Sequence, residues 1–270
     1  MKNKFNLVNL FFLLIALTIS AQKKQQNTVS IYLIGDSTVA DYTGNYDPGK
    51  DYMKSRYPIA GWGQEFQPFF VKDSLNDIKT LKNKEVVIKD KAKGGRSTRT
   101  FFQEGRWREV FDNLNAKDYV LMQFGHNDAA ENKQERYVNI EGYKEFLRLY
   151  VSQTRQKEAI PIILSPVARN YPWKNGHLEN VHGDYPKAAE EIAKEMNVPF
   201  LDLNEISMQF FSKKGEKYVS DVYFMNFGAN LYEAYPDGQK DNTHFQIAGA
   251  KAVAALVFTE LKKIINNTTH

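Results

Sequence analysis

Residues 31–41 read IYLIGDSTVAD, an apolar run that ends in a glycine and continues as Asp36-Ser37-Thr38. The first four residues, Ile-Tyr-Leu-Ile, are typical of a strand that is covered on both faces. Two interpretations of the polar residues are open from this stretch alone. Ser37 is either part of a turn whose polar side chains cap the next segment, or a nucleophile displayed at the carboxyl end of a buried strand.

Apolar runs of the same kind recur along the chain and alternate with segments of helical periodicity. The strand-like runs cover residues 29–34, 85–88, 119–124, 160–164 and 198–201. The helical segments cover residues 106–114, 143–156, 186–196 and 247–265. This alternation predicts an α/β fold with one doubly wound, parallel central sheet. The stretch 212–240 shows neither pattern, and we expect it to be a loop-rich insertion.

The composition is that of a globular protein. Of the 270 residues, 42% are hydrophobic and 25% are charged, and the net charge is +4. The basic residues are scattered and form no arm or block, which argues against nucleic acid as a partner. Because the chain has no cysteine, thiol catalysis, cysteine-ligated metals and disulfides are excluded.

The N-terminus has the features of a secretory signal peptide. Two lysines precede an apolar run over residues 10–19, and the small residue Ala21 precedes a polar stretch. The run is shorter than the roughly 20 apolar residues that a membrane-spanning helix needs. We therefore expect residues 1–21 to be removed and residues 22–270 to form a single domain without a membrane anchor. The expected location is secreted or periplasmic.

Polar residues follow the predicted strands and precede the last helix. They are Ser37 after the first strand, Gly95 after the second, Asn127 after the third, and Asp241 and His244 before the helix. Each has an ordinary structural interpretation as a cap, a tight turn, an Asx turn, or a cap followed by a surface histidine. Because ligands of parallel sheets bind outside the carboxyl ends of the strands, all of them are expected on one rim. Together they favour an acyl-transfer site.

Four sequence blocks resemble a known family. GDST at Ser37, GGRS at Gly95, GHND at Asn127 and DNTH at residues 241–244 are similar to the blocks of the SGNH (GDSL) hydrolases. The segments GWGQ, GRSTRTF, HGDYP and YPDG resemble the rhamnogalacturonan acetylesterase branch of that superfamily. The resemblance implies a flavodoxin-like, three-layer α/β/α sandwich with a central parallel sheet. The G-x-S-x-G elbow of the α/β-hydrolases does not occur in the sequence.

The resemblance also implies roles for individual positions. Ser37 matches the nucleophile, and Asp241 and His244 match the other members of a catalytic triad. The oxyanion hole would consist of the backbone N–H of Ser37, the backbone N–H of Gly95 and the side chain of Asn127. A serine that is activated by a histidine base requires no metal and no cofactor.

Loop aromatics and cations are candidates for contact with a substrate. Trp62 and Tyr223 could stack on the apolar faces of sugar rings. Positive charge for binding uronic acids could come from Arg96, Arg99, Arg169 and Lys174. His182 belongs to the HGDYP segment, and we expect it in a loop that shapes the substrate cleft. Its closeness to His177 could also indicate a metal cluster, but the spacing matches no helical pair of metal ligands.

These features predict an exported serine O-acetylesterase whose partner is an acetylated plant cell-wall polysaccharide, with rhamnogalacturonan of pectin as the first choice. An acetylesterase for another glycan such as xylan, or a lipid or short-chain acyl esterase of the same superfamily, remains an alternative. A non-catalytic glycan-binding module that keeps the fold is an alternative of a different class. Loss of Ser37 or His244 would mark such a module, and both residues are present.

Overall fold

The structure is a computed structural model that describes residues 27–44 and 46–267. In chain order its strands are β1 (Thr28–Gly35), β2 (Ile59–Ala60), β3 (Glu85–Asp90), β4 (Tyr119–Gln123), β5 (Ile160–Leu164), β6 (Trp173–Lys174), β7 (His177–Leu178), β8 (Phe200–Leu201), β9 (Phe224–Phe227) and β10 (Gln239–Gln246). Five of them form one sheet of order β3-β1-β4-β5-β8, in which all neighbours are parallel. The predicted central parallel sheet is confirmed.

Helices connect these strands. In chain order they are α1 (Tyr52–Ser55), α2 (Lys72–Leu75), α3 (Thr98–Gln103), α4 (Arg106–Asn113), α5 (Ile140–Gln156), α6 (Tyr185–Glu195), α7 (Leu203–Lys214), α8 (Glu216–Tyr218) and α9 (Ile247–Asn267). The four predicted helical segments correspond to α4, α5, α6 and α9. Helix α5 begins earlier than predicted because the Asn139 side chain caps it, accepting a hydrogen bond from the Gly142 N–H at 2.9 Å.

Both faces of the central sheet are covered by helices. Along β1, Ile31 and Leu33 belong to the core that contains α7 and α9, whereas Tyr32 and Ile34 belong to the core that contains α5 and α6. Successive side chains of a strand point to opposite faces, so the two cores lie on opposite sides of the sheet. Burying a side chain such as Leu33 stabilises the fold by roughly 1.5–3 kcal/mol. The predicted three-layer α/β/α sandwich is therefore confirmed.

The segment 212–240 is not the loop-rich insertion that the sequence predicts. It contains α8, a π-helical turn (Val219–Tyr223) and β9, and β9 pairs with β10 in a small antiparallel sheet of order β2-β10-β9. The prediction is wrong because the aromatic residues of this segment build a core. Phe224 of this segment, for example, is fully buried, and its ring centroid lies 4.9 Å from that of the buried Phe245 in β10.

Asp241 and His244 lie within strand β10. The register between β9 and β10 shifts between Asp241 and Phe245, so the intervening residues form a bulge. Helix α9 begins only at Ile247. The alternative in which Asp241 caps the last helix and His244 sits on its first turn is therefore wrong.

The predicted signal peptide, residues 1–21, lies outside the described residues. Its removal, and a single domain over residues 22–270, stay predictions. Among the helices in the described part of the chain, none is both long enough and apolar enough to span a bilayer.

Candidate active site

Residues from separate strand ends line one cleft of about 830 Å³. Ser37 follows β1, Gly95 follows β3 and Asn127 follows β4. The parallel sheet brings these three together because the carboxyl ends of its strands meet at one edge. Asp241 and His244 reach the same cleft from the bulge in β10. The five residues that the sequence predicts for catalysis thus face a common space.

A chain of buried side chains holds the turn that carries Ser37. Asp36 Oδ1 accepts hydrogen bonds from the Thr38 backbone N–H and hydroxyl, both at 2.9 Å. Thr38 Oγ1 accepts from Gln123 Nε2 at 2.7 Å, and Trp62 Nε1 donates to Gln123 Oε1 at 2.8 Å. Because Trp62 is fully buried, the prediction that it stacks on a sugar is wrong. It supports the Ser37 turn from inside the protein.

Two buried carboxyl groups that sequence reasoning missed lie next to the candidate catalytic positions. Asp36 precedes Ser37, and Asp128 follows Asn127. Asp128 Oδ1 accepts from the Thr98 N–H at 2.9 Å and from its hydroxyl at 2.6 Å. Burial raises the pKa of Asp36 to about 6 and that of Asp128 to about 7, although hydrogen bonds to each carboxylate oppose the increase. The only sequence signal for either residue is its place in GDST or GHND.

Asp241 holds His244 in one tautomer. Asp241 Oδ2 lies 2.6 Å from His244 Nδ1, and Oδ1 accepts from the backbone N–H groups of Thr243 at 2.7 Å and His244 at 3.1 Å. A carboxylate only accepts hydrogen bonds, so Nδ1 carries the proton and Nε2 presents a lone pair. Burial raises the pKa of Asp241, but the hydrogen bond to the His244 ring and its charge outweigh burial, and the net pKa is lowered. The pair is suited to general-base chemistry.

Three N–H groups at the cleft are suited to an oxyanion. The backbone N–H groups of Ser37 and Gly95 form no hydrogen bond within the described residues. The Asn127 carboxamide donates one N–H to the Arg96 carbonyl oxygen at 3.0 Å, which fixes its orientation and leaves the second N–H available. Gly95 has a φ of +80°, a conformation that favours glycine. Each such preorganised donor typically contributes about 3 kcal/mol to transition-state stabilisation.

A buried pair of histidines lies beside these groups. Asn204 Nδ2 donates to the Pro166 carbonyl oxygen at 3.0 Å and lies 3.2 Å from His182 Nδ1, which therefore accepts. His182 Nε2 then carries the proton and donates to His126 Nδ1 at 3.1 Å. Burial lowers the pKa of His182 to about 3 and that of His126 well below its usual value. His182 lines the cleft as predicted, but both its nitrogens are engaged, so it supports the wall and does not bind substrate.

The model of the GDSL-like lipase/acylhydrolase family matches residues 33–252, a range that includes every catalytic candidate. The chain belongs to this family. Its members are hydrolases that transfer acyl groups from esters, which agrees with the hydroxyl, base and oxyanion donors described above.

Other proteins resemble this GDSL-like acylhydrolase over most of its length. It is 34% identical to the rhamnogalacturonan acetylesterase RhgT of Bacillus subtilis (strain 168) over 236 residues, which make up 87% of this chain and 90% of that protein. The crystal structure of YxiM from Bacillus subtilis matches with a TM-score of 0.68 and 25% identity, over 87% of this chain and 56% of YxiM. The acetylxylan esterase Axe2 of Geobacillus stearothermophilus shares the fold, with a TM-score of 0.55 and 17% identity over 89% of this chain and 95% of Axe2. The protein is a carboxylic ester hydrolase.

Of the remaining predicted substrate contacts, Arg96 lies in the cleft and Tyr223 does not. Arg96 lines the cleft and pairs with Glu104 at 2.9 Å. Tyr223 is buried in the π-helical turn, where its ring stacks on Phe210 with centroids 6.1 Å apart. The prediction that Tyr223 contacts a sugar is wrong because the small antiparallel sheet uses this ring as core. Within the described ranges, no three His, Asp or Glu side chains are grouped so that they could hold a metal.

Proposed function

We propose that this protein is a serine acetylesterase that removes O-acetyl groups from rhamnogalacturonan. In this proposal Ser37 is the nucleophile, His244 is the general base and Asp241 orients the base. Ser37, Gly95 and Asn127 supply the N–H donors of the oxyanion hole. The observation that carries the choice of substrate is the charge of the cleft that contains these residues.

The proposed reaction follows from the geometry of the cleft. Ser37 Oγ attacks the acetyl carbonyl carbon while His244 Nε2 takes the hydroxyl proton, and the carbonyl oxygen becomes an oxyanion held by the N–H donors. The sugar oxygen leaves with the proton from His244, which produces an acetyl-enzyme. Water then attacks this ester while His244 Nε2 takes its proton, the Ser37 oxygen leaves with that proton, and acetate is released. Ser37 Oγ forms no hydrogen bond within the described residues, and in ligand-free enzymes this bond often tightens only on substrate binding.

The cleft carries more positive than negative side chains. Its carboxylates are Asp47 and Asp241. Its basic residues are Arg56, Lys93, Arg96, Lys133, Arg136 and Arg169. A cleft of this sign concentrates anionic ligands, and the galacturonic acid units of rhamnogalacturonan each carry a carboxylate. A neutral xylan or an acyl lipid gains no such attraction. The similarity to rhamnogalacturonan acetylesterases supports the same choice.

The substrate proposal is tested by acetate release from acetylated rhamnogalacturonan, acetylated xylan and an aryl acetate under the same conditions. We expect kcat/KM to be highest for rhamnogalacturonan, and we expect added salt to reduce this preference because salt screens the charges of the cleft. A higher kcat/KM on acetylated xylan at low salt would overturn the choice of substrate and leave the esterase mechanism intact.

The mechanism is tested by Ser37→Ala. This variant removes only the nucleophilic oxygen, so we expect an unchanged melting temperature and a loss of nearly all activity on every ester. Ser152→Ala, which changes an exposed serine on α5, serves as the matched control and should keep full activity. A folded Ser37→Ala protein that still releases acetate would end the serine-esterase mechanism.

Export belongs to the same proposal. A plant polysaccharide is accessible only outside the cytoplasm, which agrees with the signal peptide predicted for residues 1–21. The N-terminal sequence of the protein recovered outside the cytoplasm tests this point, and a start at Gln22 is expected.

A further inference from the structure

Arg169 is held in a fixed position on the cleft wall by neutral groups. It lies in the loop after β5, is partly buried and lines the cleft. Its Nε donates to His126 Nδ1 at 3.3 Å, one terminal nitrogen donates to the His126 carbonyl oxygen at 3.3 Å, and the other donates to the Tyr171 hydroxyl at 2.7 Å. None of these acceptors carries a charge when the imidazole is neutral, so the guanidinium has hydrogen-bond partners but no ion-pair partner among the described residues.

The histidine pair explains why His126 can serve as such an acceptor. Its Nδ1 has a single lone pair, which the N–H of His182 at 3.1 Å and the Nε–H of Arg169 at 3.3 Å share in a three-centre hydrogen bond, and the tautomer of His182 is set by Asn204. Burial keeps the pKa of both rings well below neutral pH, so neither ring adds a positive charge that would repel Arg169. The chain from Asn204 to His126 therefore orients the guanidinium without neutralising it.

Arg169 differs in this respect from the other cations of the cleft. Within the described residues, Arg169 and Lys133 are the cleft cations that form no ion pair, and Lys133 is exposed. The paired cations are Arg56 with Asp47, Lys93 with Asp47, Arg96 with Glu104 and Arg136 with Glu135. Arg169 thus combines partial burial, a fixed orientation and an unmatched charge, which together are the requirements for binding a carboxylate.

Arg169 also lies close to the reacting groups. It donates to the backbone of His126, the residue next to Asn127. Its charge contributes to lowering the pKa of Asp36, the neighbour of Ser37, against the larger effect of burial. A ligand held by Arg169 would therefore lie beside the ester that Ser37 attacks.

The geometry points to Arg169 as the residue that binds a uronic acid carboxylate of the substrate near the acetyl group that is removed. This inference rests on the proposed function, because it assumes that the substrate is an acetylated, carboxylate-bearing polysaccharide. Arg169 then selects the substrate and positions its acetyl group, while the acyl-transfer groups carry out the reaction.

The test compares acetate release from acetylated rhamnogalacturonan with release from the same polysaccharide after methyl esterification, which removes the carboxylate charge. The measured quantity is the ratio of kcat/KM for the acid form to kcat/KM for the methyl ester. We expect Arg169→Gln to lower this ratio about 10- to 100-fold, mainly through a higher KM for the acid form, because a charged hydrogen bond is lost. Arg169→Lys should lower it less, since lysine keeps the charge but not the planar fork.

Arg108→Gln is the matched control. Arg108 is a highly exposed arginine on α4 whose ion pair is with Asp112, and this variant should keep the wild-type ratio. The inference would be overturned if Arg169→Gln left the ratio unchanged, either because activity is kept on both forms of the polysaccharide or because it is lost equally on both. Should Arg169→Gln not fold, an unchanged ratio in Arg169→Lys has the same meaning. Failure of the wild type to release acetate from either form, with normal activity on an aryl acetate, would instead refute the proposed substrate.

Discussion

At the scale of single residues, the Asp241 carboxylate decides what His244 can do. It accepts hydrogen bonds from the His244 ring and from two backbone N–H groups, including that of Thr243. These bonds fix the ring so that Nδ1 carries the proton and Nε2 is free to take one. The same backbone bonds would be expected of a simple turn, so the geometry alone supports both a catalytic and a structural role for Asp241.

Asp241→Asn separates the two roles. Asparagine can still accept from the backbone, but its amide N–H would face His244 Nδ1 and favour the tautomer in which Nε2 carries the proton. We expect kcat/KM to fall by roughly 10⁴-fold, the size of the loss reported for the equivalent change in another triad, with little change in melting temperature because Asn and Asp are similar in caps and turns. The measurements are kcat/KM on an aryl acetate and thermal unfolding.

Asp237→Asn, at an exposed aspartate in the loop before β10, provides the control and should behave as wild type. If Asp241→Asn were both fully active and equally stable, His244 would have no orienting partner and the triad assignment would fail.

At the level of secondary structure, the bulge in β10 positions Asp241 and His244, the proposed catalytic pair. Asn226 on β9 accepts from the Asp241 N–H at 2.9 Å and donates to Asn242 Oδ1 at 2.8 Å. Asn170, in the loop after β5, donates to the same Asn242 oxygen at 2.9 Å. The bulge is therefore held from both sides, by a strand of the small sheet and by a loop of the central sheet. This arrangement connects the base to the rim on which Ser37 lies.

Asn226→Ala should loosen this connection. It removes two hydrogen bonds that are partly exposed, so we expect a loss of about 1 kcal/mol in the free energy of unfolding. The loss in kcat should be larger, roughly 10- to 100-fold, because small displacements of catalytic groups strongly reduce the rate. Lys240→Ala, which removes an exposed side chain opposite Asn226 in the β9–β10 ladder, should leave both quantities unchanged. Equal losses in the two variants would show that the bulge does not depend on Asn226.

For the molecule as a whole, the edge of the central sheet that carries Ser37 and Asn127 has buried carboxyl groups beneath it. Asp36 and Asp128 are fully buried beneath the turns that carry Ser37 and Asn127. Burial raises the pKa of Asp36 from 3.8 to about 6. A carboxyl group whose pKa is raised by folding contributes stability that is complete below its unfolded pKa, near 4, and is lost as the pH rises through its folded pKa. These groups therefore weaken the fold as the pH rises from about 4 to about 7.

Asp36→Asn should remove the part of the pH dependence of stability that the titration of Asp36 causes. The asparagine oxygen can still accept from Thr38, and the side chain no longer titrates. Relative to wild type, the free energy of unfolding of the variant should increase by about 2.5 kcal/mol between pH 4 and pH 7.5, slightly less than the full change in pKa implies because part of the titration lies below pH 4. Chemical denaturation at a series of pH values measures this difference, in which the titration of all other groups cancels.

Asp73→Asn, at an exposed position on α2, should show no such trend. A stability difference between Asp36→Asn and wild type that is independent of pH would mean that folding does not raise the pKa of Asp36.

Local sequence patterns were sufficient to predict much of the fold and to select the catalytic candidates. The run ending at Gly35 and four similar runs predicted the central sheet, because strands that are buried on both faces have a distinctive apolar composition. The short blocks around Ser37, Gly95 and Asn127 marked the rim, because the ends of parallel strands must meet at one edge. These are properties of consecutive residues, and for that reason the sequence reveals them directly.

The prediction was wrong where a residue's surroundings come from distant parts of the chain. Trp62 and Tyr223 were expected to face a sugar, but Gln123 and Phe210 respectively provide buried partners for them. An aromatic side chain carries the same local signal whether it is exposed or buried. The pairing of β9 with β10 was missed for the same reason, since strand pairing depends on both partners.

The residue order along the chain was enough to predict an α/β sandwich and to propose Ser37, Asn127 and His244 as reactive groups of a serine hydrolase. Three-dimensional contacts were needed to show which nitrogen of His244 is free, which carboxyl groups are buried and which cations of the cleft form no ion pair. Tautomers, pKa values and unmatched charges depend on distances of a few ångströms between groups that are far apart in the chain. Arg169 illustrates the difference, because its sequence neighbours give no sign of the neutral partners that leave its charge for a ligand.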